Sequence, residues 1–232
     1  MNVVVTGASS GIGYEIVKEL VRANVHTIYA ISRNRNQLDA LKEECKSIGN
    51  TEVIVLPIDL CEINTMDLNS VINNETIDII INNAGYLVNK PFENISLQQL
   101  EQVYQTNVFG PFLLIQQLLS NLKKSKIAHI VNIGSMGGVQ GASKFPGLSA
   151  YSSSKAAIAS LTECLAEELK KDNIKVNCLA LGAVNTEMLS SAFPGYTAQM
   201  QPKDMAKYIV RFAMKDYQFI NGKIIPISFS TP

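Results

Sequence analysis

Seven short apolar runs punctuate the chain, and the stretches between them carry apolar residues at helical spacing. The runs fall at 3–5, 26–31, 53–58, 77–81, 129–133, 175–180 and 223–227. Several are continuous in Val, Ile and Leu rather than alternating, as expected of strands covered on both faces. Residues 11–23 place Ile12, Ile16, Val17 and Leu20 on one helical face. Helical patterns recur over 36–48, 62–72, 150–171 and 202–214, with Pro202 suited to a first turn. The stretch 96–124 reads as two helices, or as one long helix broken near Gly110-Pro111. Such alternation builds βαβ units, so the expected fold is α/β, a doubly wound parallel sheet with helices on both faces. Right-handed crossovers then bring the strand C-termini to one edge, where such sheets bind ligands. No linker or repeat divides the chain, so residues 1–232 read as one domain. The longest stretch without periodicity, 182–201, reads as a loop of a length that often serves as a lid.

Composition narrows the function. An apolar content of 47% with 17% charged residues is incompatible with a disordered chain. Twenty basic against twenty acidic residues leave no net charge, so nothing in the balance calls for nucleic acid. The two histidines, His26 and His129, lie far apart, and Cys45, Cys61, Cys164 and Cys178 contain no CxxC pair. Neither a metal site nor a disulfide framework is expected, and the thiols read as free. The sequence enters its first strand without a signal-like n-region, and no apolar run approaches the ~20 residues that span a bilayer. A cytoplasmic protein without membrane association is the expectation.

Thr6-Gly7-Ala8-Ser9-Ser10-Gly11-Ile12-Gly13 joins the first strand to the first helix. Glycines there let the backbone turn tightly and let a pyrophosphate approach the helix N-terminus, where free N–H groups and the helix dipole favour an anion. Tyr14 stands where a P-loop needs Lys. The alternative is a tight turn with no ligand. After the second strand come Ser32, Arg33 and Asn34, and no acid appears before Asp39. An acid would bind a ribose 2′-hydroxyl, whereas an arginine accommodates a 2′-phosphate. Arg33 therefore points to NADP(H) as the preferred cofactor, with NAD(H) as the alternative if Arg33 and Arg35 are merely solvated.

Tyr151 and Lys155 stand four apart at the start of a long helix, so phenol and ammonium share a face. A free phenol titrates near ~10. A neighbouring cation favours the phenolate and brings the group nearer to useful general acid–base range. Ser135 follows the strand at 129–133 and can donate to an oxygen gaining negative charge. A serine-hydrolase reading fails for want of a histidine partner, since His129 and His26 sit on strands.

Taken together, Thr6 to Gly13, Asp59-Leu60, Asn82-Asn83-Ala84-Gly85, Asn107, Ser135 and Tyr151…Lys155 resemble the short-chain dehydrogenase/reductase family, in its order and over nearly the whole chain. The resemblance implies a Rossmann-type fold and a nicotinamide cofactor. It implies that Tyr151 is the proton donor to a carbonyl or the base toward an alcohol. Lys155 would lower the tyrosine pKa and hold the nicotinamide ribose, and Ser135 would polarise the substrate oxygen. Asn107 would order a water that links Lys155 to solvent. Gly7, Ser9, Ser10, Gly11, Ile12 and Gly13 would hold the pyrophosphate, and Asp59 and Leu60 would flank the adenine. Asn83, Ala84 and Gly85 would line the cofactor cleft, with Gly182, Val184 and Thr186 near the carboxamide. A homodimer or homotetramer is implied through helices within 96–124 and 150–171.

Three departures from the family pattern stand out. Leu181-Gly182 replaces the usual Pro-Gly. The interval between Ser135 and Tyr151 is longer than usual, through residues 140–148. The tail lacks the common Asp-Gly-Gly. Met136, Phe145, Met188, Phe193 and Tyr196 are the candidate substrate-pocket residues, with no Arg or Lys clamp among them. The expected function is an NADP-dependent carbonyl reductase or alcohol dehydrogenase acting on a small, neutral, apolar molecule. A non-catalytic NADP(H)-sensing protein of the same fold is the alternative, and a non-redox lyase or epimerase is a third reading.

Overall fold

The computed structural model of the chain describes residues 1–73 and 75–229. The last three residues of the tail, Ser230, Thr231 and Pro232, lie outside them. The strands are β1 (Asn2–Thr6), β2 (Thr27–Ser32), β3 (Glu52–Pro57), β4 (Ile79–Asn82), β5 (His129–Ser135), β6 (Lys175–Leu181) and β7 (Ile224–Ile227). They form a seven-stranded sheet in the order β3-β2-β1-β4-β5-β6-β7, with every neighbouring pair parallel. Each apolar run is a strand, with bounds within two residues of those expected.

The pleat divides the core. Val3 and Val5 of β1 and Ile79 and Ile81 of β4 face one apolar layer with α1 (Gly11–Arg22), α2 (Arg35–Lys46) and α8 (Pro202–Met214). Val4 and Ile80 face the other, with α5 (Gly110–Leu122) and α6 (Ser149–Glu168). Successive side chains pointing to opposite faces are the reason that continuous apolar strands are needed here.

Two stretches differ from the sequence expectation. Residues 62–72 are not one helix: a 3-10 turn (Leu60–Thr65) and a short α3 (Leu68–Val71) are separated by an extended Met66. Asp59 accepts from the Cys61 N–H and Asp67 from the Ser70 N–H, so each piece has its own cap. The stretch 182–201 is not all loop, since Thr186 caps α7 (Glu187–Ala192). The stretch 96–124 divides near Gly110-Pro111 as expected, into α4 (Leu97–Tyr104), a π-helical turn (Gln105–Phe109) and α5. Pro111 has no N–H to offer the Asn107 carbonyl four residues back, which accounts for the interruption at that point.

His129 begins β5 at the sheet edge opposite the strand C-termini and is fully buried. Its ring stacks on Tyr217 at 4.1 Å, Nδ1 lies 3.0 Å from the Ala213 carbonyl oxygen, and Asn177 Nδ2 lies 3.1 Å from Nε2. Burial lowers the imidazole from 6.5 to about 4. A histidine lowered on folding contributes stability above its unfolded pKa and loses it as pH falls. Urea titrations should therefore show stability declining from about pH 6.5 toward about pH 4, by a few kcal/mol. His129→Gln should be less stable at pH 7 but should lack that share of the slope.

Candidate active site

The sheet order reverses between β1 and β4, and the crevice beyond their C-termini is where a doubly wound sheet takes a ligand. Thr6 joins the two strands, its hydroxyl oxygen accepting from the Asn83 N–H (3.1 Å) and the Ala84 N–H (3.0 Å). Asn83 Nδ2 donates to the Thr6 carbonyl at 3.0 Å. Gly7 turns the chain at φ 68°, and a β-carbon there would lie 2.8 Å from Ala84 Cα. A β-carbon on Gly13 would overlap the Gly7 carbonyl oxygen, so α1 can start this close to β1 only through glycine. The Ser10 side chain makes no capping hydrogen bond, and the first amides of α1 open onto the crevice. An uncapped helix N-terminus bordered by Gly7, Ser9, Gly11 and Ile12 fits a pyrophosphate.

A cleft of about 750 Å³ runs from this loop across the strand ends. Ser32 and Arg33 line it at the end of β2, with the Ser32 hydroxyl 2.7 Å from that of Ser9. Asp59 and Leu60 follow β3, Ala84 and Gly85 follow β4, and Gly182, Val184 and Thr186 follow β6. Met136, Phe145, Met188, Phe193 and Tyr196 all reach the same cleft. Three expected residues do not line it. Gly13 lies behind the loop, Asn34 accepts from Gln37 N–H as the cap of α2, and Asn107 is buried behind Gly85.

Ser135, Tyr151 and Lys155 meet on the cleft floor. Helix α6 is held to the sheet by a buried polar chain: Asn82 donates to Asn132 (2.8 Å), Asn132 to Thr162 (2.9 Å), and Thr162 to the Ile158 carbonyl (2.9 Å). Lys155 Nζ donates to the Ile133 carbonyl at 2.8 Å and lies 5.8 Å from the centre of the Tyr151 ring. Burial lowers the ammonium to about 8. The phenol is raised rather than lowered: burial outweighs the opposing hydrogen bond with Ser135. The expected acidifying effect of Lys155 on Tyr151 is thus not seen, because the amine is engaged with a backbone carbonyl and both groups are dehydrated.

The Asn107 side chain is committed to structure. Its Oδ1 accepts from the Tyr86 N–H (2.8 Å), and its Nδ2 donates to the Tyr86 carbonyl (2.9 Å) and to the Ser154 hydroxyl (2.9 Å). The loop after β4 is thereby fixed to α6. Sequence reasoning missed Ser154 in this junction, and it missed Tyr86, Thr106 and Leu148 in the cleft. Tyr86 directly follows Asn83-Ala84-Gly85, so its place beside the cleft could be read from that motif. Leu148 depends on how residues 140–148 fold back, which carries no local signal.

The short chain dehydrogenase family profile matches residues 1–197. The chain belongs to that family. It is 30% identical to a fatty acyl-CoA reductase of Acinetobacter baylyi over 91% of this chain and 72% of the relative. A putative NAD(P)-dependent gluconate 5-dehydrogenase of Beutenbergia cavernae with bound NADP superposes with a TM-score of 0.87, at 26% identity, over 98% of this chain and 94% of that one. A 4-hydroxyisoleucine dehydrogenase mutant complexed with NADH and succinate gives 0.86 at 27% identity, over 100% and 98%. This short-chain dehydrogenase thus shares its fold with proteins bound to either nicotinamide dinucleotide. Among the described residues, no helix is long and apolar enough to cross a membrane.

Gly13→Ala is expected to drive the added methyl into the Gly7 carbonyl and the Asn83 amide. Thermal unfolding should fall by several degrees, corresponding to the ~1–3 kcal/mol typical of forced overpacking. Nicotinamide dinucleotide affinity, read by fluorescence titration, should fall more than tenfold; an unchanged Kd would refute the role of this contact.

Proposed function

We propose that the protein is an NADP(H)-preferring carbonyl reductase or alcohol dehydrogenase acting on small, neutral, apolar ketones, aldehydes or diketones. The observation that carries this reading is the cluster of Ser135, Tyr151 and Lys155 on the floor of an otherwise largely apolar cleft that begins at the glycine loop. The loop amides would bind the pyrophosphate, Asp59 and Leu60 would flank the adenine, and Arg33 would meet the 2′-phosphate, a pairing suited to a guanidinium. Lys155 would hold the nicotinamide ribose. The bound nicotinamide would supply the hydride chemistry.

Ser135 and Tyr151 line the same cleft, so a carbonyl oxygen entering between them would take both hydroxyl donors. Ser135 stabilises that oxygen as it gains charge, and Tyr151 transfers its proton to it. A phenol raised by burial stays protonated at neutral pH, as a general acid in reduction must. Lys155 at about 8 remains largely charged at pH 7, and replacement of its Ile133 contact by ribose would leave that charge close to the phenol. Asn107 would order a water on the route from Lys155 to solvent. A single domain over 1–232 in the cytoplasm completes the reading. Exposed Leu97, Phe109 and Phe112 along α4–α5 support pairing into a homodimer or homotetramer.

A panel of carbonyl compounds followed by NADPH absorbance tests the activity. Tyr151→Phe should lower kcat by about 10²–10⁴ while leaving NADPH binding within a few-fold of wild type; a variant working at full speed would remove the phenol from the mechanism. Arg33→Ala should raise the Michaelis constant for NADPH about tenfold or more and that for NADH little, since only the first loses a charged hydrogen bond. Equal effects on the two cofactors would refute the 2′-phosphate role.

A further inference from the structure

Three loops meet at the mouth of the cleft: the loop after β4, residues 139–148 before α6, and the end of α7. Asn89, on the first, donates from Nδ2 to the Ala192 carbonyl at 2.7 Å, on the third. Its Oδ1 lies against Gly147, on the second, so closely that a β-carbon there would overlap it. Gly147 has φ 85°, and its carbonyl accepts from the Lys90 N–H at 3.0 Å. Lys144 braces the same loop, donating to the Gly137 (2.8 Å) and Val139 (2.6 Å) carbonyls. Above the Asn89 junction, Phe145 and Phe193 meet edge to face at 6.5 Å and line the cleft.

We propose that Asn89 is a positioning residue that clips these three loops together and so fixes the Phe145–Phe193 wall of the substrate cleft before substrate arrives. The lengthened interval between Ser135 and Tyr151 is the segment that reaches Asn89. Preorganising an apolar wall saves a substrate the entropy of ordering it, and the gain grows with the apolar area laid against the wall. The substrate class that depends on the clip is therefore a bulky, flat carbonyl compound such as an aryl ketone, whereas a two- or three-carbon aldehyde does not need it. This specificity claim rests on the reductase reading above; the clip itself does not.

Two measurements on Asn89→Ala and Asn89→Asp test it. Aspartate keeps the size but loses the donor to Ala192. In both variants, hydrogen exchange at the amides of Ser190 and Phe193, which are bonded within α7, should quicken about fivefold, the loss of one hydrogen bond. The amides of α1 should be unchanged. KM for an aryl ketone should rise about fivefold or more with kcat and the NADPH Kd little altered, and KM for propanal should hold. Unchanged exchange would overturn the clip. Equal KM rises for both substrates, or a loss in kcat alone, would overturn its role in specificity. If the wild type reduces no carbonyl compound, the reductase reading fails and exchange alone decides the clip.

Discussion

Where a β-carbon on Gly13 would sit, the carbonyl oxygen of Gly7 already lies, and the Asn83 amide fills the space beside it. That contact lets α1 begin directly above the end of β1 and presents its uncapped amides to the crevice. Thr6 then carries the constraint to β4 through two backbone donors. The first and fourth strands, which bound the point of reversal in the sheet, are thus locked at the end where the cleft opens. A cleft lined from β1, β2, β3, β4, β5 and β6 holds its shape only if those strand ends keep their relative heights.

Polar groups do the remaining placement, at depths where leaving one unpaired would be costly. The Asn82–Asn132–Thr162 chain sets the height of α6 on the sheet, and α6 carries Tyr151 and Lys155. Asn107 pins the Tyr86 backbone and Ser154 together from behind. This division explains why the cleft itself is largely apolar: the hydrogen bonds that hold it are spent one layer back. It also leaves Ser135, Tyr151 and Lys155 as the polar groups on the floor.

Dehydration of that floor has two opposing effects. It keeps the phenol protonated and weakens the ammonium, so without ligand the pair is not the activated couple that their spacing alone implies. Coulomb attraction needs the charge to be present and close. Here the lysine is held by the Ile133 carbonyl instead.

Strand positions and sheet type were legible in the sequence because period and residue type are local, and burial on both faces leaves no choice of pattern. The glycine loop, Ser135, Tyr151 and Lys155 were legible because they stand in fixed registers on single elements. The division of 62–72 into two capped pieces and the short α7 were not, since competing caps at Asp59, Asp67 and Thr186 decide between near-equal local structures. The direction of the Tyr151 shift, the burial of Asn107 behind the cleft and the meeting of Asn89 with Gly147 and Ala192 were settled only by tertiary structure. Each depends on which groups are brought together, and stripped of water, by elements far apart in the chain.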